Sequence, residues 1–244
     1  MRGKLIDMLA LPALPLLLLQ GRRVDRKTPR LPPAAGGPTG LVAGTEPALR
    51  ILAVGESTAA GVGVAQLEEA VVGRFAQVLN RRTGRAVAWE AVGQSGATVR
   101  EGHASLLPGI APGPRDLVLI LFGANDTLAR HSAQVYARDL TALIAALRER
   151  VGAAPMLVSS VPPLHTFPAL PSPLNTYLGA RGRWLDRAAA QLGLPGVWHA
   201  LVDIAMEPAL FAEDGFHPGP IGYQAWAESL ATSAFKYGLV PETA

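Results

Sequence analysis

The sequence predicts an α/β fold of three layers (α/β/α), with helices on both faces of a central parallel sheet of about five strands. Two patterns point to it. From Leu49 onward, short apolar runs alternate with segments of helical periodicity, the order expected when each strand returns to the sheet through a crossover helix. Leu117 to Phe122 is moreover a continuous apolar run, as a strand buried on both faces must be. With 244 residues, 49% of them hydrophobic, the chain can form one such domain with a substantial core and a short appendage.

The elements follow in order. Leu49 to Val54 reads as a first strand ending at Gly55, and Phe75, Val78 and Leu79 mark one face of a helix that stops at Thr83-Gly84. Ala86 to Val92 is a second strand and Leu117 to Phe122 a third. Tyr136, Leu140, Leu143, Ile144, Leu147 and Val151 recur at helical spacing, so a helix is expected over 132–151. Met156 to Ser160 is a fourth strand, 174–192 a helix, Val197 to Val202 a last short strand and 219–236 a closing helix. The body is expected to span 48–240, preceded by a Pro/Gly-rich linker over 29–47 and an arm over 1–28.

The arm is chemically distinct. Residues 1–30 hold seven bases and two acids, so although the chain carries +3 overall, the remainder is net −2. The folded body therefore lacks the positive surface that nucleic acid demands, and no nucleic-acid partner is expected. Met8 to Leu19 is an uncharged run without a small-x-small cleavage site after it. As a helix it would be roughly 18 Å long, short of the about 30 Å needed to span a bilayer, and Pro12 and Pro15 are expected to weaken it. An interfacial membrane contact helped by the basic cluster, an atypical export signal, and an arm packed on the body or on a second copy all stay open. Membrane-associated or cytoplasmic placement is favoured.

In open parallel sheets ligands sit beyond the carboxyl ends of the strands. The residues there are Gly55-Glu56-Ser57-Thr58, Gly93-Gln94-Ser95-Gly96 and Gly123-Ala124-Asn125-Asp126, with Asp214-Gly215-Phe216-His217 near the end of the chain. Ser57 is read as a hydroxyl projecting from the turn of the first strand into the first helix, its amide at the helix N-terminus. Asp214 and His217 would let one short loop present a base and the acid that orients it. The Asn125 amide could donate to an oxyanion, and Gly96 could offer an unhindered N–H. Taken singly, Ser57, Gly96 and Asn125 read first as cap or turn residues, and a lone Asp-x-x-His is weak evidence.

Together the four segments resemble the SGNH (GDSL-like) hydrolase family, whose ordered blocks are Gly-Asp-Ser, a glycine block, Gly-x-Asn-Asp and Asp-x-x-His. The resemblance covers 49–236 and implies a flavodoxin-like SGNH hydrolase fold and a serine esterase. It implies Ser57 as nucleophile, His217 as base, Asp214 as its partner, and an oxyanion hole from Ser57, Gly96 and Asn125. Glu56 departs from the pattern by standing where the family usually has Asp. Acyl transfer by the same site, and a non-catalytic binding module on the same fold, are the alternatives.

The loop over 162–173 follows the fourth strand and carries Leu164, Phe167 and Leu170 in a segment expected to face solvent. At least one of the three is expected to line an acyl pocket. There are no cysteines, which excludes disulfides and thiolate chemistry. His103, His131, His165 and His199 lack metal-ligand spacing, so no metal is expected, and neither is an organic cofactor. The expected partner is a small-molecule or lipid ester.

Overall fold

The structure, a computed structural model, describes residues 10–241. Six strands form one sheet: β1 (Thr39–Val42), β2 (Thr45–Gly55), β3 (Arg85–Gly93), β4 (Leu117–Leu121), β5 (Met156–Ser159) and β6 (Val197–Ala200), in the order β1-β3-β2-β4-β5-β6. All neighbours are parallel except β1, which runs antiparallel to β3 at one edge. The helices are α1 (Leu14–Lys27), α2 (Val71–Thr83), α3 (Val99–Leu106), α4 (Ala124–Leu128), α5 (Ala133–Val151), α6 (Leu174–Ala190) and α7 (Pro220–Lys236).

Alternation along the strands decides the layers. Ile51 and Ala53 of β2 and Leu117, Leu119 and Leu121 of β4 join one core with Phe75 and Leu79 of α2 and Leu230 of α7. Their neighbours Leu52, Val54, Val118 and Ile120 join the opposite core with Leu140, Leu143 and Leu147 of α5. A strand with apolar side chains at every position is stable only between two such layers. Gly84, at φ 67°, ends α2 in the left-handed conformation that glycine adopts without strain, and the Ser132 side chain accepts from Val135 N–H to start α5.

The stretch expected as a linker is largely laid onto the sheet. It holds β1 and the start of β2, and Ala91 N–H donates to Pro38 O at 2.7 Å. Its glycines serve packing: a Cβ on Gly40 would fall 2.2 Å from the Trp89 ring. The helix α3 was not anticipated. Its start is marked by Thr98 and Glu101, which cap each other's backbone N–H reciprocally.

Residues 1–9 of the expected arm lie outside the described residues. The rest forms α1, which continues past the apolar run through the basic cluster to Lys27. The prolines do not break it: Pro12 lies in a preceding 3-10 turn and Pro15 in the first helical turn, where no N–H is needed. Leu17 is buried against Leu164, Phe167, Leu170, Leu174 and Leu178. Gln20 pins the helix at both ends of its amide, donating to Ser172 O at 2.8 Å and accepting from Leu174 N–H at 3.2 Å. The opposite face leaves Leu11, Leu16 and Leu19 exposed. Among the described residues no helix is long and apolar enough to cross a membrane.

One buried leucine and one amide are a small anchor, so α1 opens more readily than the sheet. Leu17→Asp is expected to release it, speeding proteolytic cleavage within residues 14–38 several-fold while the main unfolding transition moves little. Limited proteolysis read by mass spectrometry checks this, and an unchanged cleavage rate would refute it.

Candidate active site

Strand order reverses at β2, which has β3 on one side and β4 on the other, and a crevice opens at such a switch point. Gly55 ends β2 where a Cβ would lie 2.5 Å from Leu121 O of β4. The chain leaves there into Ser57, which is buried. It does not enter a helix at once, as the sequence suggested: residues 57–64 form turns and bends and α2 begins only at Val71. Tyr223 of α7 holds these turns by donating its hydroxyl to Val62 O at 2.7 Å. Ser57 is therefore placed by close strand packing and tight turns, not at the N-terminus of the helix that follows β2.

Gly96 follows β3 in a turn closed by Ala97 N–H to Gln94 O at 3.2 Å. Its φ of +81° requires glycine even though a Cβ there would meet nothing. Among the described residues neither the Ser57 nor the Gly96 N–H meets a protein acceptor. Asn125 lies in the first turn of α4. Asp126, fully buried, ties it to the neighbouring block by accepting from Val99 N–H at 3.0 Å and bonding His131 Nδ1 at 2.9 Å.

Asp214 and His217 sit on a small hairpin. Ala212 N–H donates to His217 O and Gly219 N–H to Leu210 O, both at 2.8 Å. Within it Asp214 Oδ1 accepts from the Phe216 and His217 N–H groups, each at 2.9 Å, and Oδ2 lies 2.6 Å from His217 Nδ1. Burial works to raise the Asp214 carboxyl, but the bonds from the His217 side chain and these two amides hold it below its ordinary value. A carboxylate only accepts, so Nδ1 donates and Nε2 is left as the basic nitrogen.

Ser57 and His217 line one apolar cavity of about 70 Å³, together with Thr58, Phe167, Phe211 and Phe216. Phe167 packs edge-on against Phe211 and Phe216 at 5.1 and 5.2 Å, and Phe216 against the His217 ring at 5.4 Å. The Thr58 hydroxyl is buried there without a partner. On the other side of His217 a broad cleft of about 840 Å³ is lined by Gly96, His217 and Leu170 and walled by α1. Of the three candidate pocket residues, Phe167 lines the cavity, Leu170 lines the cleft, and Leu164 is buried and lines neither. The loop does not face solvent as expected, because α1 lies over it.

The sequence pattern of the GDSL-like lipase/acylhydrolase family matches residues 53–225, taking in all four strand-end segments. The chain belongs to that family. A GDSL-like esterase of Mycobacterium tuberculosis is 31% identical over 192 residues, 75% of this chain, and the chain spans 60% of that relative's length. Among solved structures, a lipase/acylhydrolase from Enterococcus faecalis superposes with a TM-score of 0.56 at 20% identity, covering 80% of this chain and all of that one. A family 3 carbohydrate esterase from Clostridium thermocellum superposes at 0.58 with 18% identity, covering 78% and 96%.

In this GDSL-like chain Glu56 has a structural role that spacing alone did not show. Its carboxylate spans from β2 to the start of α4, accepting from Ala124 N–H at 3.1 Å, Asn125 N–H at 3.0 Å and Asn125 Nδ2 at 2.6 Å. One amide hydrogen of Asn125 is thus committed, and the other meets no acceptor among the described residues. Burial pushes the Glu56 carboxyl up to about 7, against the pull of these bonds. A raised acid binds its proton more tightly in the native than in the unfolded chain, so its contribution is full below about 4.5 and is lost as pH rises to about 7. Denaturant unfolding at pH 5 and pH 8 is expected to show native stability falling over this interval, and less steeply in Glu56→Gln. Equal slopes in the two proteins would rule Glu56 out as the group responsible.

Proposed function

We propose that this chain is a carboxylic ester hydrolase that works through an acyl-enzyme on Ser57. The observation that carries this reading is the Asp214-braced His217 lining the same apolar cavity as Ser57. A serine hydroxyl is a weak nucleophile until a base takes its proton. Here Nε2 of His217 accepts that proton as Ser57 Oγ attacks the ester carbon, and the Asp214 carboxylate stabilises the imidazolium. The oxyanion is received by the N–H groups of Ser57 and Gly96 and the uncommitted Asn125 amide hydrogen, which match the negative charge as it develops. His217 then protonates the leaving alcohol, and water, activated by the same base, clears the acyl-enzyme as a carboxylic acid.

Cavity size bears on the acyl group. About 70 Å³ is small beside the roughly 300–1,000 Å³ of pockets that take drug-sized ligands, so it suits a short acyl chain. The aromatic wall of Phe167, Phe211 and Phe216 excludes water from the reacting carbonyl and strengthens the electrostatics there.

Ser57→Ala and His217→Ala are each expected to lower turnover of a short-chain chromogenic ester by about a thousandfold or more, since such groups act as a unit, while circular dichroism stays unchanged. A well-folded variant retaining a tenth of the activity would overturn the assignment. Phe167→Ala should enlarge the cavity and shift the preference toward longer acyl chains. A kcat/KM profile over acetate to octanoate esters tests this, and an unaltered profile would remove Phe167 from acyl recognition.

A further inference from the structure

His217 and Phe216 line both the small cavity and the broad cleft, so the two spaces meet at the base. If the acyl group occupies the apolar cavity, the leaving group must lie toward the cleft, because His217 has to hand it a proton. The cleft then faces the part of the substrate that departs. Its walls are unlike those of the cavity: Arg22 and Arg30 come from α1 and the segment just after it, and Arg130 from the loop between α4 and α5. Asp25 also lines it and lies 3.5 Å from Arg30, with both side chains largely exposed, a pairing weakened by solvent. Three cations against one acid is a local excess on a body whose overall charge is slightly negative.

Arg130 adds an independent observation. Its φ is +58°, and it is the one non-glycine residue with positive φ among the described residues. Its N–H donates to Thr127 O and the His131 N–H to Asp126 O, closing α4 with a left-handed residue where glycine would fit without strain. Asn125 and Asp126 of the preceding helix and Ser132, which caps the next, bracket this position, so the loop can turn here only tightly. The residue placed at that turn is a cation on the cleft wall.

We propose that the cleft between α1 and the catalytic face receives an anionic leaving group, a carboxylate or phosphate on the alcohol side of the ester, held by Arg22, Arg30 and Arg130. This rests on the esterase reading above and names its substrate class. In the reaction the acyl–oxygen bond to the leaving group breaks as the bond to Ser57 Oγ forms. The Ser57 proton passes through His217 to the leaving oxygen, which departs into the cleft as an alcohol still carrying its anion. The arginines provide charge-assisted hydrogen bonds of the geometry that carboxylate and phosphate oxygens accept.

The test compares para-nitrophenyl acetate with its ring-carboxylated counterpart, both soluble, on the full chain and on Arg22→Gln, Arg130→Gln and the double variant. The ratio of kcat/KM for the anionic over the neutral ester is expected to fall about tenfold or more in the double variant, and the wild-type ratio to shrink as salt is raised. Arg30→Gln provides a second route to the same loss should Arg130→Gln fold poorly. Unchanged ratios alongside Ser57-dependent turnover of the neutral ester would overturn the inference and leave the esterase reading standing. No turnover of either ester by the wild type would remove the esterase reading and this inference with it. If the arginines serve a lipid surface instead, the ratios will stay fixed while binding to phosphatidylglycerol vesicles falls in the variants, and the inference is overturned.

Discussion

The carboxylate of Glu56 joins the end of β2 to the start of α4, and the geometry of the site depends on that junction. It lies where the strand order reverses, so the two strands whose ends it links are those that bracket the crevice. Two backbone amides and one side-chain amide converge on a group taken out of water. Such a group is stable only if its bonds are all made, which ties the loop after β4 to one position relative to Ser57. Asp126 extends the same tie to the helix after Gly96. The candidate oxyanion donors are therefore set by a buried polar network rather than by the flexibility of three separate loops.

Much of the sheet was legible in the sequence because β4 is apolar at every position and the other inner strands hold short apolar runs, and α5 because six apolar residues repeat at one period. What escaped had other physical causes. The edge strand β1 sits among glycines and prolines, which read as a linker. Yet Gly40 is there because Trp89 occupies the space a side chain would need, and composition cannot distinguish a glycine that bends from one that makes room. The prolines of the arm misled in the same way, since their effect depends on where the helix begins. The helix α3 did carry a readable signal in Thr98 and Glu101, three residues apart.

For the site, the strand-end segments and the Asp-x-x-His spacing located the polar groups, because those lie within a few residues of an element boundary. The surroundings were not legible. Phe211, Phe167 and Phe216 meet through contacts between a loop after β5 and a hairpin before α7, and Arg22 reaches the cleft from the other end of the chain. Glu56 looked like a one-methylene departure from a family pattern. Its extra length is taken up in reaching across to α4, a relation that exists only once β2 and β4 are neighbours.

The hairpin that carries Asp214 and His217 closes on itself: its rungs join Ala212 to His217 and Leu210 to Gly219, and the carboxylate accepts two of its own backbone amides. Acid and base thus form one rigid body seated against the aromatic wall. The carboxylate–imidazole distance is set within that body, whereas the gap between imidazole and serine is set by how the hairpin seats against the turns after β2. In the mechanism proposed above, the relay would thus have one joint fixed inside the hairpin and one set by the hairpin's seat, where a ligand in the cavity can act on it.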